Sequence, residues 1–235
     1  MNVFILATLD TKGREAAFLR DELQRLGVTA RLIDTGCIGS PQIEADVPRA
    51  EVFSAAGESH QELCGRADRG EAIAAAARGA AELIRRLHAQ RQVAGVLAIG
   101  GSAGTTIGAA AMRVLPLGVP KLMVSTLASG QVRHYVGDKD ILMLNAVTDF
   151  AGLNRISRLV LGQAARAMAG MVRFPTTASA AEDKPIVAAT MFGVTTPCSA
   201  SPRRVSRVPE RSWSGPDMKC WYFTRPAAVV RRWSR

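Results

Sequence analysis

The chain has 235 residues, 48% of them hydrophobic, and a formal net charge of +10. That length suits one large domain or two small ones, and no segment reaches the roughly 18 apolar residues of a membrane span. Cys37, Cys64, Cys198 and Cys220 are scattered with no CxxC pair, which argues for reduced thiols in a cytoplasm and against a metal cluster.

The first element is a buried strand at Asn2–Thr8, since the terminus lacks the basic leader of a signal peptide. A helix is predicted over Lys12–Leu26, with Phe18, Leu19, Leu23 and Leu26 on one face and Gly27 as its stop. A second strand follows at Thr29–Thr35. From Cys37 to about Gly65 the periodicity is weak and Gly, Pro and Ser recur, so this reads as a long surface connection. An alanine-rich helix covers Arg69–Gln90. The third strand, Val93–Ile99, runs into Gly100-Gly101-Ser102-Ala103-Gly104-Thr105-Thr106 and a helix to about Leu115. Further strands are expected at Lys121–Thr126, within Asp140–Asp149, and at Pro185–Phe192. A helix is expected at Asn154–Val172, and a polar linker at Pro175–Asp183.

Strands alternating with helices argue for an α/β fold, a Rossmann-like parallel sheet with helices on both faces. The strand ends share small, hydroxylated or acidic residues, and ligands of open parallel sheets bind at the carboxyl ends of strands. The Gly100–Thr106 turn is the strongest candidate. A strand entering a glycine turn and then a helix lets backbone N–H groups approach an anion at the positive end of the helix dipole. The turn lacks the Gly-Lys-Ser/Thr of a Walker A loop and the spacing of the dinucleotide fingerprint. Gly100, Gly101, Ser102, Gly104, Thr105 and Thr106 are therefore candidate phosphate contacts, with an unliganded strand-to-helix turn as the alternative. A second candidate turn holds Ser125, Thr126, Ser129 and Gly130. At the end of the first strand, Asp10 is a helix cap or a magnesium-side carboxylate. Thr11 lies beside it, and Lys12 is a phosphate contact or a solvated helix-start lysine. Asp34 stands where a ribose-binding acid sits in dinucleotide folds. His60, His88 and His134 share no metal spacing.

Five stretches carry a family resemblance: ATLDTKGREAAFL (Ala7–Leu19), GVLAIGGSAGTT (Gly95–Thr106), LPLGVPKLMVSTLASGQ (Leu115–Gln131), VTDFAGLNRIS (Val147–Ser157) and ATMFGVTTPC (Ala189–Cys198). Together they resemble the uncharacterised family typified by the amino-terminal region of the tomato mosaic virus resistance protein. The resemblance covers residues 2–198. It implies a nucleotide-binding domain with ATP as ligand, with or without Mg2+, and homo-oligomeric assembly in the intact family. It also implies two α/β subdomains, placing the first at residues 1–175 and the linker and first strand-turn of a truncated second subdomain at 176–198. It supplies no catalytic residues.

After Cys198 the resemblance ends and the character of the chain changes. Nine of the 30 basic residues and two of the 20 acidic ones lie there, with Trp213, Trp221 and Trp233. The family's expected continuation, GYEVLVFHATGxGGxAME, fits these codons when they are read in a shifted frame. The Met218/Lys219 junction then has to encode Glu, Cys220/Trp221 Leu, and Trp221/Tyr222 Val. The expectation is that 199–235 is a frameshifted, disordered tail. The alternative is a genuine basic tail that binds nucleic acid. Three functional readings follow for the whole chain: an ATP-dependent enzyme lacking its second half, a non-catalytic nucleotide-binding regulatory module, or a fragment without function.

Overall fold

A computed structural model describes residues 1–65, 68–175, 186–190 and 219–223. The chain divides into two units, Met1–Thr176 and Thr177–Arg235. The first unit begins with β1 (Asn2–Ala7), in which every residue from Val3 to Ala7 is apolar and buried. It continues through α1 (Leu9–Arg25), β2 (Ala30–Asp34), α2 (Arg49–Ala55), α3 (His60–Gly65), α4 (Arg69–Ala89), β3 (Val93–Gly100) and α5 (Ser102–Arg113). Then come β4 (Lys121–Ser125), α6 (Arg133–Val136), β5 (Leu142–Asn145) and α7 (Arg155–Arg173).

The five strands pair in parallel in the order β2-β1-β3-β4-β5. This is a doubly wound order whose direction reverses between β1 and β3, and the crevice at that reversal is where such sheets hold ligands. Continuous apolar strands are expected here, because a parallel sheet is covered on both faces. Alternation divides their side chains. Val3, Ile5, Leu97, Ile99, Leu122 and Val124 pack with Leu19 and Leu23 of α1 and with Leu161 and Met168 of α7. Phe4, Leu6, Val96, Ala98 and Met123 pack on the opposite face with Ala76 and Ile84 of α4 and with Ile107 and Met112 of α5.

Local chemistry sets the helix ends. Asn154 caps α7 by accepting from the backbone N–H of Ile156 and Ser157, and the Ser157 hydroxyl accepts from the N–H of Asn154. Asp68 caps α4 by accepting from the N–H of Glu71. Gly79 lets α4 lie directly on α2, since a Cβ there would stand 1.8 Å from the carbonyl oxygen of Val52. Gly108 does the same for α5 on the sheet, with Ala98 Cβ at 2.6 Å.

The segment from Cys37 to Gly65 corrects the expectation of a surface connection. It forms α2 and α3, and Val47, Val52, Phe53 and Leu63 are buried in the core. Sealing Phe53 alone contributes about 1.5–3 kcal/mol. α1 begins three residues earlier than its periodicity predicts, because Leu9–Thr11 form a first turn separated from the main helix by non-helical Lys12 (φ −128°, ψ 24°). The short helix α6 has no counterpart in the sequence pattern. In the second unit, β6 (Ile186–Thr190) pairs in parallel with β7 (Lys219–Phe223). β7 is thus a strand inside the segment expected to be a disordered tail. The remainder of that tail, the Gly193–Cys198 turn, Trp213 and Trp233 lie outside the described residues. Among the described residues no helix is long and apolar enough to cross a membrane.

Candidate functional site

Gly100 ends β3 and Gly101 is the N-cap of α5. The glycines of this turn have different duties. A Cβ on Gly100 would stand 2.6 Å from Gly104 Cα, and one on Gly104 would stand 2.9 Å from the carbonyl oxygen of Ile99. These two glycines let the first turn of α5 pack directly on the strand end. Gly101 faces open space, with Thr126 Oγ1 the nearest group at 3.6 Å. Lacking a side chain, Gly101 cannot cap α5. The N–H groups of Ser102, Ala103 and Gly104 accordingly find no acceptor among the described residues. Such a helix end carries a partial positive charge with donors aimed outward.

The turn after β4 is welded to this one. Thr105 Oγ1 lies 2.7 Å from Ser125 Oγ and 2.7 Å from the carbonyl oxygen of Gly101. Ser125 Oγ also lies 3.0 Å from the N–H of Leu127. A carbonyl only accepts and an N–H only donates. The chain of bonds therefore has one direction: Leu127 N–H to Ser125, Ser125 to Thr105, Thr105 to Gly101. Both hydroxyls are fully buried, so Thr105 and Ser125 position the two turns and do not face the crevice. The N–H of Thr126 adds a bond to the carbonyl oxygen of Gly100 at 3.2 Å. Ser102 and Thr106 are exposed on the first turn of α5, where the Thr106 hydroxyl donates to the carbonyl oxygen of Ser102. Ser129 and Gly130 are exposed, their turn closed by a bond from Gly130 N–H to the carbonyl oxygen of Leu127.

The residues at the end of β1 form a second group. The N-cap of α1 is Thr8, and Asp34 supplies the capping carboxylate from β2 by accepting from the N–H of Leu9 at 3.1 Å. Asp34 also accepts from Gly36 N–H at 2.8 Å and from Arg49 Nε at 2.6 Å. It is buried and fully engaged, which leaves it no role toward a ribose. Asp10 accepts long bonds from the N–H groups of Ile38 and Gly39 at 3.4 and 3.3 Å, anchoring the loop after β2. The Thr11 hydroxyl lies 2.9 Å from that of Thr8. Lys12 Nζ donates to the carbonyl oxygen of Phe150 at 3.4 Å and sits 5.9 Å from the centre of the Phe150 ring. Lys12 thus reaches toward the loop after β5.

Several engaged residues carry no sequence signal. Arg49 is buried beside Asp34, and its Nη2 finds no partner among the described residues. The nearby His60 imidazole is held below its ordinary pKa, chiefly by burial and then by the Arg49 charge. A backbone bond at Cys37 and the carboxylates of Asp34 and Asp10 oppose that shift. Lys121 is fully buried and donates to the carbonyl oxygens of Pro116 and Val119 and to Asp140 at 2.7 Å. Glu15 is 1% exposed and accepts from the N–H of Gly152 at 2.8 Å. Val147, at the end of β5, holds a positive φ of 67°, a strained conformation for a β-branched residue. No group of three or more His, Cys, Asp or Glu able to hold a metal ion occurs among the described residues.

Comparison with known proteins agrees with this frame. Residues 1–177 match the N-terminal domain of an uncharacterised protein family, UPF0261. A UPF0261 protein of Rhizobium meliloti is 46% identical over 198 residues, spanning 83% of this chain and 48% of that protein. One from Clostridium tetani is 42% identical over 194 residues, with the same coverage of 83% and 48%. The ToMV resistance protein Tm-1(GCR237) of Solanum lycopersicum is 35% identical over 216 residues, spanning 83% of this chain and 28% of that protein. The chain spans about half the length of the bacterial relatives it matches.

Proposed function

The chain belongs to the UPF0261 family, and on that premise we propose that its first unit binds ATP, the phosphates resting on the open N-terminus of α5. The observation that carries this reading is the glycine cap. Gly101 leaves three consecutive N–H groups without an acceptor among the described residues, beside the β1/β3 reversal of the sheet. Backbone donors at a helix N-terminus in that position favour phosphate. Thr126 borders the same opening and can donate its hydroxyl. Mg2+, where it accompanies the nucleotide, would come with the phosphates. Asp10 is the nearest carboxylate in sequence to the end of β1, but its contacts to Ile38 and Gly39 give it a competing structural role.

The nucleotide serves either an enzyme or a regulatory module, and this reading names no catalytic group. It keeps the protein in the cytoplasm as a homo-oligomer, with neither a membrane nor nucleic acid as partner. Titration of the chain with ATP, ADP and adenosine tests the binding. The reading expects affinity to rise with the number of phosphates, and equal affinity for adenosine would remove it. Turnover of bound ATP then separates the enzyme from the regulatory module.

A further inference from the structure

The buried carboxylate of Glu15 is not used by the nucleotide reading. It lies on α1, on the face of the sheet opposite α5. One oxygen, Oε1, accepts from the N–H of Gly152. The other takes no hydrogen bond among the described residues. A carboxylate taken out of water is costly unless its acceptor positions are filled. Glu15 does not abut solid core on every side. It lines a groove of about 530 Å3 together with Thr11, Arg14, Gln42, Ile43, Ala151 and Gly152. A second groove of about 430 Å3 adjoins it, with Arg14 and Ile43 lining both. Arg14 is exposed and makes no ion pair or hydrogen bond among the described residues.

These features make a small polar site lined by opposite charges from adjacent positions of α1. One is a nearly sealed carboxylate with a spare acceptor, and the other is a neighbouring guanidinium with all its donors spare. Of the remaining lining, Ile43 and Ala151 supply an apolar patch, and Thr11 and Gln42 are polar. The loop that closes the groove is held by two contacts from α1: Glu15 to Gly152 N–H, and Lys12 to the carbonyl oxygen of Phe150. We propose that this groove binds a free amino acid with a small apolar side chain. The ammonium donates to Glu15, the carboxylate pairs with Arg14, and the side chain lies against Ile43 and Ala151. The volume is in the range of small-molecule pockets and exceeds the needs of such a ligand. The site is separate from the α5 turn, so either can fail without the other.

The test is the melting temperature of the full chain, measured without nucleotide, with each common L-amino acid titrated singly from micromolar to tens of millimolar. The expected result is that at least one small apolar amino acid raises Tm, by roughly 5–10 °C once it exceeds its Kd about 100-fold. Glu15→Gln keeps an acceptor for Gly152 N–H but loses the charge, and it should weaken the response about tenfold or more. Arg14→Ala, at an exposed and unpaired position, should do the same with the ligand-free Tm unchanged, and it decides the matter if the Glu15 variant does not fold. The proposal is overturned if no small apolar amino acid shifts Tm, or if the shift keeps its full midpoint in the variants that fold.

Discussion

Ser125 donates its hydroxyl proton to Thr105 across 2.7 Å, and the bond joins the turn after β4 to the first turn of α5. The two residues are 20 positions apart in sequence, yet the Ser125 proton has Thr105 as its acceptor. Thr105→Val keeps the shape and removes the hydroxyl, leaving the Gly101 carbonyl and the Ser125 proton without this partner. It should cost about 1–3 kcal/mol in urea unfolding, as for a buried group left unsatisfied. Ser125→Ala should cost a similar amount, and the double variant clearly less than the sum, because the single changes each strand a group that the double change removes. Strict additivity would show that the pair is not coupled.

Asp34 and Arg49 form a buried pair that also caps α1. Asp34→Ala removes the cap and strands a guanidinium whose Nη2 already has no partner among the described residues, so a loss of about 3–5 kcal/mol is expected. Replacing both by apolar residues should recover part of that loss, though not the cap on Leu9 N–H, worth about 1 kcal/mol. Equilibrium unfolding of the two variants measures this. A double variant less stable than Asp34→Ala alone would contradict the account.

Asp140 sets a pH dependence. Burial pushes its carboxyl up, but bonds from Lys121 and from Gly118 N–H, with the Lys121 charge, outweigh that, and its pKa lies below the ordinary value. A carboxyl depressed in the folded state binds its proton more readily when unfolded. Its stabilising effect is therefore present above the ordinary carboxylate pKa and is lost as the pH falls through the folded value. Asp140→Asn should destabilise the protein by about 1–3 kcal/mol near neutral pH, toward the lower end because Asp140 is partly exposed. The gap to the unaltered chain should close in acid. A gap that stays constant down to the acid limit would rule out the Lys121–Asp140 charge interaction as its source.

The sheet and the glycine turn were legible because each rests on a local pattern. Parallel strands buried on both faces must be apolar throughout, which makes β1 and β3 conspicuous, and a strand-to-helix turn this tight needs glycine. What escaped was set by distant contacts. Phe53 and Val52 lie in a helix of seven residues, too short to show helical periodicity, and only the packing of α2 under α4 reveals them as core. Arg49 and Glu15 look like ordinary surface charges until the fold buries them. Asp34 stands where a ribose acid would, but its partners Leu9, Gly36 and Arg49 are fixed by the loop after β2, and they occupy it. The sequence also treats Gly101 and Gly104 as equivalent. Contact distances separate them: Gly104 is needed for packing against Ile99, whereas Gly101 has room for a side chain.

That difference permits the most direct test of the nucleotide site. Gly101 has φ −83° and ψ −149°, outside the left-handed region, and open space at its Cβ, so Gly101→Asp places a carboxylate on the free N–H groups of α5. Its melting temperature and its ATP affinity should be measured together. Phosphate binding at α5 predicts a chain stabilised by roughly a few tenths of a kcal/mol through the new cap, whose ATP affinity falls at least about tenfold, a change of about 1.4 kcal/mol. An equally stable or more stable variant that binds ATP with undiminished affinity would contradict the placement of the phosphates at α5.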